Sequence, residues 1–427
     1  MLNRITPPPV RPLSPRTLPA YREAALSNGI PVYWIPHGQV EVAEVMMVFR
    51  AGDSFQPKPG LADYTAKMMA EGTASYTSTG LARKLDDHGA WLSHETDMEF
   101  ISLNLTSLER HLPDTLPLMH EVGFTPTFPE AEFQKMKQRN LQKQRVTEQK
   151  TGWLARRHFG PLLFGPEHPY GKSLGLPEIE AIQYEDLAPY HQRYFQAGNA
   201  FFAVSGRFDE HKLLALLDQT FGGLPYTGAN KEDSSAKDVP FVTQTGRHYV
   251  EKEGLQSTIR LGHIGKERSH PDYYPMEVVN TILGGYFGSR LMRNIREEKG
   301  FTYGISSNLV SFRNDGYFLI GTDVKKEVTQ ATLDEIRKEI NILQTQPVLD
   351  HELDTVKNFM AGEFVGSLNT PFEIADRYKT ILLDGLPTDF LSNYVQNLRA
   401  VSAEQIQKMA QSYLNDEVLM EVVVGGK

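Results

Sequence analysis

The sequence predicts an α+β fold built as two homologous domains, each a largely antiparallel sheet with helices packed on one face. Three observations carry that expectation. Strand-like segments come in adjacent pairs followed by runs of helix, and this order, unlike strict alternation, argues for antiparallel pairing. Comparable elements begin at 61 and 272, at 79 and 289, and at 98 and 316, offsets of 211, 210 and 218 residues, so the halves read as copies of one unit. A chain of 427 residues, 40% hydrophobic and 23% charged, can bury two cores, each from roughly 200 residues.

In order along the chain, residues 1–20, rich in Pro and Arg, form an N-terminal arm, and 21–226 form the first domain. "LSNGIPVYWIP" sets two apolar runs around Asn28-Gly29 and "EVMMVFRAG" follows as a second strand, so the domain opens with a hairpin. "GLADYTAKMMAEGT" is a short helix over 61–71 in front of a Gly-Thr stop, and Ser78 to His88 is a second helix stopped by Gly89. "AWLSHE" and "DMEFISLNLT" are strands. Leu108, Leu112 and Leu116 stripe one face of a helix at about 107–121, and 130–148 is a strongly polar helix. "EDLAPYHQRYFQAGNAFFAVSG" (185–206) closes the unit as helix, turn, apolar strand and Gly. The polar, aperiodic "TGANKEDSSAKDVP" (227–240) is the interdomain linker.

The second domain, 241–427, repeats the order. "QSTIRLGHI" is a strand, 272–283 a helix, and Ser289 to Lys299 a helix closed by Gly300. "YGISSNLVSF" and "GYFLIGTDV" are strands joined at Asn314-Asp315-Gly316, and a helix of about 326–343 follows. "SAEQIQKMAQSYLNDEVLMEVVVGG" (402–426) ends this half as 185–206 ends the first.

Composition excludes several functions. A net charge of −9 with no dense Lys/Arg run sets nucleic acid aside, and the absence of cysteine removes disulfides, thiol nucleophiles and Cys-type zinc sites. No segment has the ~18 consecutive apolar residues that span a bilayer, and the Pro-rich start is not a signal peptide as written. The expectation is a cytoplasmic protein, or a periplasmic one if a leader has been removed. "GPEHPYGKS" has five residues between Gly165 and Gly171 where a phosphate loop needs four, and neither G-x-G-x-x-G nor G-x-S-x-G occurs. His88, His94 and His351 stand beside acids but lack a second His at helical or hairpin spacing, so each reads as a surface or satisfied histidine.

After the arm, nearly the whole chain resembles the insulinase or pitrilysin-like zinc metallopeptidases, in particular the two-domain chains of the processing-peptidase branch. The segments that carry the resemblance are "LSNGIPVYWIPH", "AGDSFQPKPGLADYTAKMMAEGT", "DDHGAWLSHETDMEFISLNL", "HPYGKSLGLPEIEAI", "YHQRYFQAGNAFFAVSG" and "LGGYFGSRLMRNIREEKGFTYGISS". In catalytic members, H-x-x-E-H on the first-half helix binds zinc through two His, and its Glu activates the metal-bound water. On this sequence the His positions fall at Asp63 and Lys67 and the Glu position at Ala66. The family's third ligand is a Glu on the polar helix, yet Phe133 to Thr147 contains no acid. No metal site is therefore expected here. Asp63 and Lys67, at i and i+4 with the acid first, instead suit an ordinary helix ion pair worth about 0.2–0.5 kcal/mol.

The resemblance also implies an Arg and a Tyr seven residues later, supplied by the second half, that hold the substrate backbone and stabilise the tetrahedral intermediate. Arg296 and Tyr303 in "NIREEKGFTYG" stand at that spacing. A guanidinium and a phenol are suitable donors to a peptide carbonyl and a developing oxyanion. The plainer readings are a cation at a helix C-terminus for Arg296 and a half-buried strand aromatic for Tyr303. The pattern implies the non-zinc-binding subunit of a heterodimeric zinc metallopeptidase. It would hold no cofactor itself, zinc would sit on a homologous H-x-x-E-H-bearing partner, and the substrate would be a peptide. The alternative is a non-catalytic structural or peptide-binding protein of the same fold; a self-contained peptidase is the third reading. A surface shaped for a similar partner also suits pairing of the isolated chain with itself as a homodimer.

Overall fold

The computed structural model of the chain describes residues 18, 20–226 and 239–426. The arm expected at 1–20 and the linker expected at 227–240 therefore lie almost wholly outside the described residues. Among the described residues, eleven strands form two sheets. The first contains β1 (Arg22–Ala25), β2 (Pro31–Pro36), β3 (Val42–Phe49), β4 (Trp91–Thr96), β5 (Ile101–Leu108) and β6 (Ala200–Gly206), in the order β1-β2-β6-β3-β5-β4. The second contains β7 (Gly246–Glu251), β8 (Gln256–Gly265), β9 (Thr302–Ser311), β10 (Gly316–Lys325) and β11 (Met420–Gly425), in the order β7-β11-β8-β10-β9. Leaving out β1, the two orders correspond strand for strand. In each sheet one neighbouring pair is parallel, β2 with β6 and β7 with β11, and every other pair is antiparallel.

The helices of the first half are α1 (Leu61–Met69), α2 (Ser78–Asp87), α3 (Leu112–Phe124), α4 (Glu130–Thr147), α5 (Thr151–Phe164), α6 (Leu176–Ala181), α7 (Leu187–Tyr194) and α8 (Glu210–Phe221). Those of the second are α9 (Tyr273–Asn280), α10 (Thr329–Thr345), α11 (Asp350–Gly366), α12 (Pro371–Asp384), α13 (Phe390–Ala400) and α14 (Ala403–Tyr413). Val45, Met47 and Phe49 of β3 face the helices of their own half, together with Leu61, Met68 and Leu116. Ile259 and Leu261 of β8 do the same with Val279, Leu333 and Ile336.

The opposite face of each sheet is covered by a helix from the other half. On the first sheet, Ile374, Ala375, Tyr378 and Ile381 of α12 pack against Ile35, Met46, Val48 and Phe201. On the second, Ala155, Phe159, Leu163 and Phe164 of α5 pack against Met420, Val422 and Val424 of β11. Cover on both faces leaves every residue of β6 and β11 buried, and the one charge among them, Glu421 of β11, is paired with Arg337. Lys379 of α12 is buried, donates to Glu95 Oε2 at 2.6 Å, and lies 4.6 Å from the Phe100 ring centroid.

Two expectations are corrected. β1 and β2 do form a hairpin around Asn28 and Gly29 (φ +97°), but β2 is not followed by β3 in the sheet, because β6 lies between them. The segment expected as a helix from Ser289 to Lys299 is π-helical over Met292–Glu298, with Lys299 N–H bonded to Asn294 O at 3.0 Å. Glu335 and Glu339 of α10 accept from Asn294 Nδ2 at 2.9 and 2.7 Å and hold that widened turn. The expected stop is where the sequence puts it, at Gly300 with φ +66°.

Candidate functional site

On α1, Leu61, Ala62, Thr65, Met68 and Met69 are buried, leaving Asp63 and Lys67 on the outer face. Their side chains form the expected i,i+4 pair, Lys67 Nζ to Asp63 Oδ2 at 2.5 Å. Ala66 is 1% exposed and presents only a methyl group to the core. His94 on β4 is their neighbour: burial lowers its pKa, Asp63 opposes that shift and Lys67 adds to it. Asp53 is pushed up to about 6 by burial, with Asp63 and Asp97 adding and a hydrogen bond from Gln56 opposing.

The first acid after the gap on α4, Glu148, is committed to another task. Its Oε1 accepts from Leu176 N–H at 2.8 Å and from Gln144 Nε2 at 3.1 Å, which ties it to the start of α6. An ammonium cannot ligate a metal, Asp63 is neutralised by it, and Ala66 has no basic atom. The residues present do not fit a zinc ion at α1. Among the described residues, the one place where three His, Asp or Glu side chains converge at ligand spacing is elsewhere, at His88, His111 and Asp114.

In the second half the side chains are arranged differently. β9 is an edge strand, and between Thr322 and Val324 its pairing with β10 slips by one residue, so that Tyr303 and Gly304 together oppose Asp323. This is a β-bulge, a device that re-aims a side chain. Thr302 fixes it: its Oγ1 donates to Asp323 O at 2.7 Å, and Gly304 N–H donates to that Oγ1 at 3.2 Å. Tyr303 is thereby 96% exposed, so it is not the half-buried strand aromatic of the plainer reading. Arg296, in the π-helical turn, lies over the exposed ring of Phe287 at 4.8 Å. Among the described residues, the side chains of Arg296 and Tyr303 make no hydrogen bond or ion pair, with each other or with any other group.

Asp323 also faces a cleft of about 1300 Å³ between the α4–α5 junction and the second sheet. Lys150, Arg156, Lys252, Arg260 and Lys325 line it, against the carboxylates of Glu253, Asp323 and Glu327. Burial lowers the pKa of Arg260, Arg156 adds to that, and Asp323 opposes it. Thr258 Oγ1 is bonded to both Asp323 and Thr151, joining the cleft's two walls. Leu255, on its rim, is 82% exposed. The bulge and the cleft escaped the sequence reading, although Gly304 inside a strand pattern was a legible bulge signal.

Two family profiles match the chain: insulinase (peptidase family M16) over residues 35–158 and peptidase M16 inactive domain over 181–360. A Helicobacter pylori protein named non-peptidase homolog YmxG is 24% identical over 408 residues, covering 93% of this chain and 92% of its own. The mitochondrial-processing peptidase subunit beta of Lentinula edodes is 23% identical and covers 92% of this chain and 87% of its own. The crystal structure of a peptidase M16 inactive domain from Pseudomonas fluorescens superposes with a TM-score of 0.87 at 25% identity, covering 95% of this chain and 98% of that one. No helix among the described residues is long and apolar enough to cross a membrane.

Proposed function

This chain belongs to the M16 (insulinase) peptidase family as an inactive member, and from that premise we propose that it is the non-zinc-binding subunit of a two-chain zinc peptidase. The observation that carries the reading is the contrast between its halves. Asp63 and Lys67 satisfy each other, whereas Arg296 and the bulge-directed Tyr303 point hydrogen-bond donors outward with no partner among the described residues. An H-x-x-E-H-bearing partner supplies the metal and its activated water. Arg296 holds the carbonyls of an extended peptide, and Tyr303 O–H donates to the oxygen on which charge develops when the scissile carbonyl is attacked. The exposed edge of β9 and the cationic cleft beside it suit a peptide laid alongside as a further strand.

The test is hydrolysis of an unfolded peptide by this chain, by an H-x-x-E-H-bearing chain from the same genome, and by their mixture. Activity confined to the mixture supports the subunit reading; stable association without hydrolysis rejects it. A second reading, a peptide-binding protein without catalysis, rests on the same edge strand and on a relative named as a non-peptidase homolog. It requires peptide affinity in the isolated chain that the mixture does not convert into cleavage.

A further inference from the structure

We propose that His88, His111 and Asp114 form a binding site for one divalent transition-metal ion, with Zn²⁺ best matched to the donors. The site lies on elements that carry none of Asp63, Ala66 and Lys67, and it does not depend on the function proposed above. His88 and His111 are too far apart in sequence to form a local motif; the β4–β5 hairpin between them returns the chain and brings them together. His88 caps α2, where its N–H bonds Leu85 O at 3.1 Å and Gly89 (φ +57°) turns the chain away. His111 stands at the N-terminus of α3, where its carbonyl accepts from Thr115 Oγ1 at 2.9 Å. Asp114 follows three residues later on the same helical edge.

The imidazole centroids are 5.1 Å apart and tilted by 51°, and one donor atom from each of the three residues lies within 4.8 Å of the other two. Around a tetrahedral ion with bonds of about 2.0–2.2 Å, donor atoms sit about 3.3–3.6 Å apart. Small side-chain rotations of the partly exposed His88 and His111 and the exposed Asp114 supply the difference. No ion pair engages Asp114 among the described residues. His111 Nε2 accepts a long bond of 3.3 Å from Arg110 Nε, so this nitrogen carries the lone pair that a metal ion would take in place of that bond. Arg110 is exposed and can swing away when a cation enters. Two imidazole nitrogens and one carboxylate oxygen suit Zn²⁺, Co²⁺ or Ni²⁺ over the all-oxygen preference of Ca²⁺ and Mg²⁺. Bound there, the ion ties the end of α2 to the start of α3.

Untagged, chelator-treated full chain is titrated with ZnCl₂ by calorimetry and with CoCl₂ by visible absorption. One ion per chain is expected, with a rise in Tm on zinc addition. His88→Ala and His111→Ala should each weaken binding at least about tenfold, since even supporting partners of metal ligands contribute about 10- to 100-fold. Lys67→Ala should leave binding unchanged, and Arg110→Ala should tighten it. If His111→Ala disturbs α3, His88→Gln, whose position follows α2, carries the test. No saturable uptake by the wild-type chain, or uptake that survives in the His88→Ala/His111→Ala double variant, overturns the proposal.

Discussion

Single residues separate what this chain has lost from what it offers. Lys67→Ala removes one partner of a partly exposed helix pair, so stability should change by no more than about 0.5 kcal/mol, read by urea unfolding. Ala66→Glu places a carboxyl at a packed position, where the resemblance puts the family's acid, and should destabilise by about 2 kcal/mol or more, read the same way. Glu44, on β3 under α12, has its pKa pushed up to about 7 by burial, with Asp376 adding, Lys379 opposing and Glu95 adding. A carboxyl that holds its proton more tightly when folded favours the folded state at low pH. The contribution of Glu44 to stability should therefore be full at and below the unfolded value of about 4.5, be lost toward pH 7 by something of the order of 3 kcal/mol, and stay lost above. Glu44→Gln should flatten that slope between pH 4.5 and 7 in denaturant melts.

At the scale of elements, the sequence exposed most of the strands and the helices that cover their own sheet, because these carry period-2 or period-3.6 apolar patterns and Gly stops such as Gly89 and Gly300. It did not expose α5 and α12, the two helices exchanged between halves. α5 contains Gly152, Gly160 and Pro161, which read locally as breakers, and its apolar residues answer to a sheet nearly 270 residues further on, at β11. α12 did carry a legible start signal, the capping box of Thr370 and Glu373. The candidate site divided in the same way. The missing ligands and the Arg296 and Tyr303 spacing were local facts, whereas the bulge that turns Tyr303 outward depends on pairing with β10, and the meeting of His88 with His111 depends on a hairpin return. Phe159→Ala, in α5, should cost about 3–5 kcal/mol, a value that an isolated surface helix would not give.

For the whole molecule, the exchange of α5 and α12 means that neither sheet is covered on both faces without the other half. Hydrogen exchange of the central strands β3 and β8 should therefore report one shared opening free energy; two well-separated values would show that the halves unfold independently. The same interlock holds the α1 face and the Tyr303 edge in one body, which the proposed subunit role requires. The most direct measurement is kcat for peptide hydrolysis by the reconstituted pair carrying Tyr303→Phe in this chain, with association checked in parallel. Loss of one exposed hydroxyl should leave subunit binding intact and lower kcat by about 100- to 1000-fold. An unchanged kcat in a fully associated complex would contradict the proposal that this chain stabilises the transition state.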